Sequence, residues 1–351
     1  MANVKEREYN YDLLRVLSAF AVSFGHVSAL FIETLIWDLN DGIPLNHPLF
    51  SVIYTTICRF SVPVFLMLSG AFVLANPKTS DAASFYRRSW KRIGIPAAIA
   101  AGIGFLWTIC TSFLIDHTGM TPVIQAFINA TPFYHLWYLT VLLGTYVLAP
   151  WIRRFMEEVS APTFEKVSIG MLAGGCLALW LNPPVVSHWN IGEVFCYTGF
   201  FMIGYVLREN ARGKTKGGIL MVCAAMALHV ISAILLYRAL LSGADRALAE
   251  HRYIVTYTPL TAAASVLMFA GFARLKVRSG AERFAPHTYN IYLIHAFVLD
   301  AAVRILRAWK GQRWLTHLDS RFAIPAGGII LYLLSWSISV LLKKLQRPEK
   351  R

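Results

Sequence analysis

The sequence predicts an all-α fold, a polytopic membrane bundle of about ten transmembrane helices that form a single domain over residues 1–351. Hydrophobic residues make up 56% of the chain and charged residues only 15%, whereas a soluble domain carries about 25% charge. Apolar runs of about 20 residues, the length that crosses a bilayer core, recur throughout the sequence. Lipid-facing helices need apolar side chains around their circumference, which explains both observations.

Ten apolar segments are predicted to span the membrane. In order they are residues 12–32, 48–74, 93–115, 134–151, 167–182, 194–208, 217–237, 253–273, 285–303 and 322–342. The first lacks the small-residue cleavage site of a signal peptide, so it is read as a retained helix. The second contains Pro63, Ser69 and Gly70, which predict a kinked or closely packed helix. The fifth and sixth are short, so we expect them to be tilted, broken or partly interfacial.

Basic residues are distributed unevenly between the segments that connect these spans. If the N-terminus lies inside, the inner segments hold most of the 33 Lys and Arg residues, and the first three outer segments hold none. The positive-inside rule therefore predicts that both termini are cytoplasmic. This topology accounts for the net charge of +14, so we expect no nucleic-acid partner.

Several common site types are missing from the sequence. The five cysteines form no CxxC pair, so we expect small buried residues rather than disulfides or metal ligands. No metal is expected, because the histidines show no ligand spacing. There is also no GxSxG, Walker, GxGxxG or HExxH motif, which argues against a serine hydrolase, an ATPase and a zinc protease.

The first predicted helix carries two ionisable residues, whose placement in the membrane interior costs free energy. Arg15 and His26 are eleven positions apart, close to three helical turns, so they share one face about 16 Å apart. A guanidinium suits a phosphate or carboxylate, and an imidazole suits proton transfer near neutral pH. The alternative is that Arg15 extends to the inner interface and His26 is a structural core residue.

Arg59 lies roughly halfway along the second predicted span. From there its guanidinium cannot easily reach the interface, so it must pair with a polar or anionic group. That group is either a substrate or a structural partner such as Asp12 or Glu33.

A basic cluster precedes the third span in the segment FYRRSWKRIGIP. Arg88 and Arg92 are four positions apart, as are Arg87 and Lys91, so each pair shares a helix face. Such a cluster can bind an anionic ligand such as a nucleotide phosphate. Alternatively, it only sets the topology and contacts anionic lipid.

Two further histidines lie among aromatic residues. His135 begins HLWYL, and His295 ends YNIYLIH, where it shares a helix face with Tyr292 and Ile291. His135 is a candidate lining residue of an outward-facing acceptor site. The neighbouring aromatics are expected at the membrane interface; they are Trp137, Tyr138 and Tyr289.

Taken in order along ten spans, these segments resemble the bacterial integral-membrane acyltransferases called acyltransferase-3. The resemblance covers nearly the whole chain. It rests on Arg15 and His26, followed by RFSVPVFLMLSGAF, FYRRSWKRIGIP, HLWYL and YNIYLIH. Within the family, the sequence is most similar to the O-acetyltransferases that modify enterobacterial common antigen. The resemblance implies a multi-pass protein of the bacterial inner membrane.

The resemblance also implies an activity. The donor would be acetyl-CoA or a related acyl-CoA from the cytoplasm, and the acceptor a sugar hydroxyl of a lipid-linked or surface glycan. His26 would be the general base, with Arg15 and Arg59 in the catalytic group. The donor site would comprise Arg87, Arg88, Lys91, Arg92 and Ser69, and the acceptor site His135, Trp137, Tyr292 and His295. Membrane lipids are the other expected partner.

A carrier is the alternative from another functional class. Ten helices with intramembrane Arg and His residues also suit a proton-coupled transporter or a flippase of a glycolipid or solute. Broken, glycine-rich helix pairs in matching halves would favour that alternative, and the sequence does not show them.

Overall fold

The computed structural model describes residues 8–41, 47–128, 133–181, 191–311 and 314–345, with the side chains of 33–41 and 316 left undescribed. These residues form fourteen α-helices and no β-strand. The helices are α1 Tyr9–Asp41, α2 Pro48–Ile57, α3 Ser61–Val73, α4 Ala82–Ser89, α5 Ile95–Leu114, α6 Thr121–Ile128, α7 Trp137–Glu158, α8 Ala161–Leu181, α9 Ile191–Ala211, α10 Gly218–Leu241, α11 Arg246–Tyr253, α12 Pro259–Arg274, α13 Thr288–Lys310 and α14 Ser320–Leu345. The predicted all-α fold is confirmed.

Each predicted span coincides with one helix or one continuous helical run. In order these are α1, α2–α3, α4–α5, α7, α8, α9, α10, α12, α13 and α14. Within the described residues, six segments are long and apolar enough to cross a membrane. They are Tyr9–Ile32, Pro48–Val73, Ala82–Leu114, Ala161–Leu181, Gly218–Leu241 and Ser320–Leu345, and α12 is a shorter apolar helix. The protein is therefore a helical membrane bundle.

Some predicted boundaries are wrong, and the reasons are local. The fifth and sixth spans are not short, because α8 and α9 each continue through polar flanking residues to 21 residues. The eighth span was placed too early, since α12 begins at Pro259. Proline is favoured in the first turn, where its missing N–H costs nothing. The Thr258 side chain caps this turn by accepting a hydrogen bond from the Thr261 N–H.

The α-helix of the second predicted span is interrupted at Arg59, a candidate site residue. A 3-10 turn over Cys58–Phe60 joins α2 to α3 and contains Arg59. Pro63 lies four residues later and has no N–H to donate to the Arg59 carbonyl, so the regular α-helical bond is impossible there. The irregularity predicted from Pro63 is therefore located one turn before it.

The chain divides into two compact units. The first unit comprises Met1–Phe65 and Leu207–Arg351, and the second comprises Leu66–Val206. A single domain over residues 1–351 stays a prediction.

In the first unit, α1 packs against α2, α13 and α14. The α1 and α2 helices are joined by a 2.7 Å hydrogen bond between the hydroxyls of Ser28 and Thr55. Further along α1, Val27 and Phe31 share a core cluster with Leu299 of α13. The interior of α1, which contains His26, is thus enclosed by helices of this unit.

The second unit contains close helix contacts that require glycine. A Cβ atom at Gly70 of α3 would overlap the carbonyl of Phe201 in α9, and one at Gly204 of α9 would overlap Met67 of α3. The same holds for Gly175 of α8 against the backbone of Cys196. Small residues let membrane helices approach closely, so the close packing predicted at Gly70 is confirmed.

The cysteines only partly match their expected burial. Cys58, Cys176 and Cys196 are buried, but Cys110 and Cys223 are exposed. Both exposed cysteines lie on helices long and apolar enough to cross a membrane, where lipid can solvate a small side chain. The Sγ atoms of Cys176 and Cys196 lie 3.5 Å apart, a contact between α8 and α9 that their sequence spacing did not indicate.

Candidate functional site

The structure brings two of the predicted site residues together in the first unit. His26 lies in the middle of α1 and is half-buried, and His295 of α13 is fully buried. Their ring centroids are 5.2 Å apart, with the ring planes inclined at 37°. The half-buried imidazole of His26 therefore contacts a second imidazole inside the helical bundle.

The orientation of His295 is fixed by its own helix. Its Nδ1 atom lies 2.7 Å from the Tyr292 carbonyl oxygen and 3.2 Å from that of Ile291. A carbonyl oxygen only accepts hydrogen bonds, so Nδ1 carries the proton and Nε2 of the neutral ring carries the lone pair. Tyr292, which was predicted on the same face, is buried with its ring 5.9 Å from the His295 ring.

Arg59 is the third predicted residue of this region. It is half-buried, and its Nε atom is buried with no hydrogen-bond partner among the described residues. Its positive charge acts electrostatically on His26, and the carboxylate of Glu250 acts on Arg59. An unsatisfied buried donor costs about 1–3 kcal/mol and calls for an explanation, such as a substrate that completes the site.

Of the two partners predicted for Arg59, only Asp12 can be checked, and it is not observed as one. The Asp12 carboxylate instead lies 3.4 Å from Nη1 of Arg15, and the Glu33 side chain lies outside those described. Glu250 was missed because α11 reaches this region only through the tertiary fold. It is held by Arg246, whose Nε donates to its Oε1 at 2.7 Å.

Arg15 keeps the predicted offset from His26. Both lie on the unbroken helix α1, so they remain about 16 Å apart along its axis. The Arg15 side chain is 33% exposed and paired with Asp12. The structure therefore does not bring Arg15 to the histidine pair.

Sequence reasoning missed one histidine. His229 of α10 is fully buried, and neither ring nitrogen has a hydrogen-bond partner in the described part of the chain. Its ring centroid lies 6.3 Å from that of Phe60, the residue after Arg59. The signal was available, because a histidine inside an apolar span is expensive and suggests function.

In the second unit, α4 presents the predicted basic cluster. Asp81 caps α4 by accepting a hydrogen bond from the Ser84 N–H at 3.3 Å, and the hydrogen bonds from Ser84 hold the pKa of Asp81 below its ordinary value. Phe85 is buried with its ring 5.7 Å from Tyr146 of α7. Burial of this face leaves the basic side chains of α4 exposed.

The four basic residues of the cluster all face outward. Arg87, Arg88, Lys91 and Arg92 are exposed, and Nη2 of Arg88 donates to the Lys78 carbonyl at 3.1 Å. A π-helical turn over Trp90–Gly94 follows Arg88 and contains Lys91 and Arg92. Such turns occur often at functional sites. The surface can bind phosphates or anionic headgroups, and the geometry does not choose between them.

The remaining candidates lie elsewhere in the second unit. Ser69 is half-buried in α3, beside Gly70. His135 is buried just before α7, with its ring centroid 5.5 Å from Phe133 and 5.8 Å from Tyr134. Trp137 is half-buried and lies 6.2 Å from Tyr197. Binding roles for Ser69, His135 and Trp137 stay predictions.

A helical membrane protein with a histidine pair and a partly buried arginine holds groups suited to proton transfer and charge stabilisation. Comparison with known families supports such chemistry. A family model described as an acyltransferase domain, Acyl_transf_3, matches residues 8–340. The chain belongs to this acyltransferase-3 family. No curated protein and no solved structure matches it.

Proposed function

We propose that this membrane acyltransferase moves an acetyl or other small acyl group from acyl-CoA to a sugar hydroxyl of a lipid-linked or surface glycan. His26 acts as the general base. The observation that carries the proposal is the half-buried imidazole of His26 in contact with His295, under the electrostatic influence of Arg59. Family membership supports acyl transfer, and the donor and acceptor are inferred from the chemistry and the resemblance.

The reaction proceeds by direct transfer. The acceptor hydroxyl gives its proton to His26 while its oxygen attacks the thioester carbonyl carbon. Negative charge then develops on the carbonyl oxygen, and Arg59 stabilises it. The carbon–sulfur bond breaks, the leaving thiolate takes the proton from His26, and the products are an ester and free coenzyme A.

The donor, acceptor and location complete the proposal. Arg88 and Arg92, supported by Arg87 and Lys91, bind the phosphates of coenzyme A, since guanidinium groups form strong charge-assisted bonds with phosphate. By resemblance, the acceptor is a glycan like enterobacterial common antigen. By resemblance, the protein lies in the bacterial inner membrane, and by charge distribution both termini are cytoplasmic.

The decisive experiment follows thiol release from acetyl-CoA by the purified protein in nanodiscs, with His26→Ala beside it. Slow hydrolysis without acceptor is sufficient as a readout. We expect wild-type turnover to disappear in His26→Ala, while acetyl-CoA binding measured by calorimetry persists. His317→Ala is the matched control, because His317 is exposed on a separate 3-10 turn.

Two outcomes contradict the proposal. Near-normal turnover by His26→Ala removes the histidine from the mechanism. Wild-type protein that neither binds nor cleaves any acyl-CoA, but moves a glycolipid or solute across vesicles, is a carrier.

A further inference from the structure

His295 contacts His26 but is itself fully buried. It was predicted to bind the acceptor, a role that suits an accessible side chain better than an enclosed one. Its position behind His26 fits a residue that acts on the base rather than on a substrate.

The tautomer of His295 determines whether its ring accepts or donates a hydrogen bond at this contact. Nδ1 donates to the carbonyls of Ile291 and Tyr292, so Nε2 is a hydrogen-bond acceptor. Among the described residues, these two tilted rings, with centroids 5.2 Å apart, are in contact but not hydrogen-bonded through Nε2 of His295. A small rotation of the His26 ring brings one of its nitrogens within about 3 Å of that atom.

We propose that His295 is a positioning residue that accepts an N–H of His26 and thereby fixes the tautomer of the base; this rests on the proposed function. The His26 nitrogen facing His295 then carries the proton, and the other nitrogen keeps its lone pair for the acceptor hydroxyl. This arrangement repeats the logic of nucleophile, base and orienting group. A neutral imidazole replaces the usual carboxylate, which avoids a buried negative charge within the membrane.

The proton balance closes over one cycle. His26 gains a proton from the hydroxyl and returns it to the leaving thiolate, while His295 remains neutral throughout. In the intermediate state, the imidazolium of His26 donates one N–H to Nε2 of His295. Losing this acceptor should slow the chemical step without changing donor binding.

Two amide variants separate this role from a structural one. His295→Asn places its amide near Nδ1 and can keep the bonds to the helix carbonyls, but it has no acceptor at the Nε2 position. His295→Gln places its amide near Nε2 and can supply that acceptor. In the thiol-release assay we expect His295→Asn to lower kcat at least tenfold with an unchanged KM for acetyl-CoA, and His295→Gln to recover much of that loss.

Both variants are compared at matched thermal stability and monodispersity, so that a difference in activity is not caused by a loss of folded protein. Full activity of His295→Asn overturns the positioning role, and so does a His295→Gln variant no better than His295→Asn. A rise in KM with constant kcat in both variants assigns His295 to substrate binding instead. If wild-type protein releases no thiol, or His26→Ala is active, the proposed function fails independently of His295.

Discussion

At the scale of single residues, the free-energy cost of an ionisable side chain inside a membrane span identifies the candidate site residues. A histidine or arginine inside a membrane span is retained against a penalty of several kcal/mol unless it is paired or solvated. His26 and Arg59 are both half-buried, and the Nε atom of Arg59 is buried. His229 is fully buried, and neither of its ring nitrogens has a hydrogen-bond partner among the described residues. Ionisable side chains buried in this way are candidates for a functional role.

Arg59 provides a test in which activity and stability change in opposite directions. Arg59→Met removes the positive charge that stabilises the oxyanion, so we expect kcat for thiol release to fall about 10²–10³-fold. It also removes a buried donor that lacks a partner in the described residues, so the thermal midpoint should stay constant or rise. Both are measured on one nanodisc preparation.

Arg278→Met is the matched control, because Arg278 is exposed and lies over the ring of Tyr9. Arg59→Lys should recover part of the activity, since it keeps the charge but loses the guanidinium fork. A large drop in the thermal midpoint that accounts for the lost activity would show that Arg59 is structural.

At the scale of elements, α4 and its π-helical turn form a basic surface at the start of the helical run Ala82–Leu114. Phe85 anchors α4, and the basic residues point away from the buried face. Gly94 belongs to this arrangement, because a Cβ atom there would overlap the Trp90 ring. The turn thus sets the direction of Lys91 and Arg92.

Donor binding tests this surface. Arg88→Ala and Arg92→Ala should each raise KM for acetyl-CoA about tenfold, the effect of losing one hydrogen bond to a charged group, and should leave kcat unchanged. Lys166→Ala, an exposed basic residue of α8, is the control. Unchanged KM in both arginine variants would leave the cluster as a topological and lipid-binding feature.

Glycine contacts set the stability of the second unit. Gly70→Ala and Gly204→Ala force α3 and α9 apart, because the added methyl overlaps helix backbone. Overpacking of this kind costs about 1–3 kcal/mol, so we expect a lower thermal midpoint in detergent. Gly170→Ala meets nothing within 4 Å and should be neutral or slightly stabilising. Equal midpoints for all three variants would contradict the predicted packing.

At the scale of the whole molecule, the distribution of basic residues predicts the orientation in the membrane. The positive-inside rule places the segment between α9 and α10 in the cytoplasm and the segment between α5 and α6 outside. Lys216 and His117 are exposed in these segments. In a cysteine-free background, His117→Cys should react with an impermeant maleimide on intact spheroplasts, and Lys216→Cys only after permeabilisation. The reverse pattern would invert the predicted topology.

Much of the fold was predictable from sequence because membrane spans obey a local rule. About 20 apolar residues must form a helix in lipid, whatever the rest of the chain does. Helices were therefore found at all ten predicted spans, and six segments of the described chain are long and apolar enough to cross a membrane. The predicted ends of α8 and α9 were too short, because polar flanking residues continue each helix beyond its apolar segment. Costly residues such as Arg59 were also identified locally, by their depth in a span.

Contacts between distant segments were decided only by the tertiary structure. The sequence alone determined a helical membrane protein, the positions of ten of its helices and the candidate residues Arg15, His26 and Arg59. Only the fold placed His295 against His26, brought Glu250 into the field of Arg59 and buried His229 beside Phe60. The physical reason is that hydropathy fixes where a helix lies along the chain, whereas side-chain packing decides which face of it meets which neighbour.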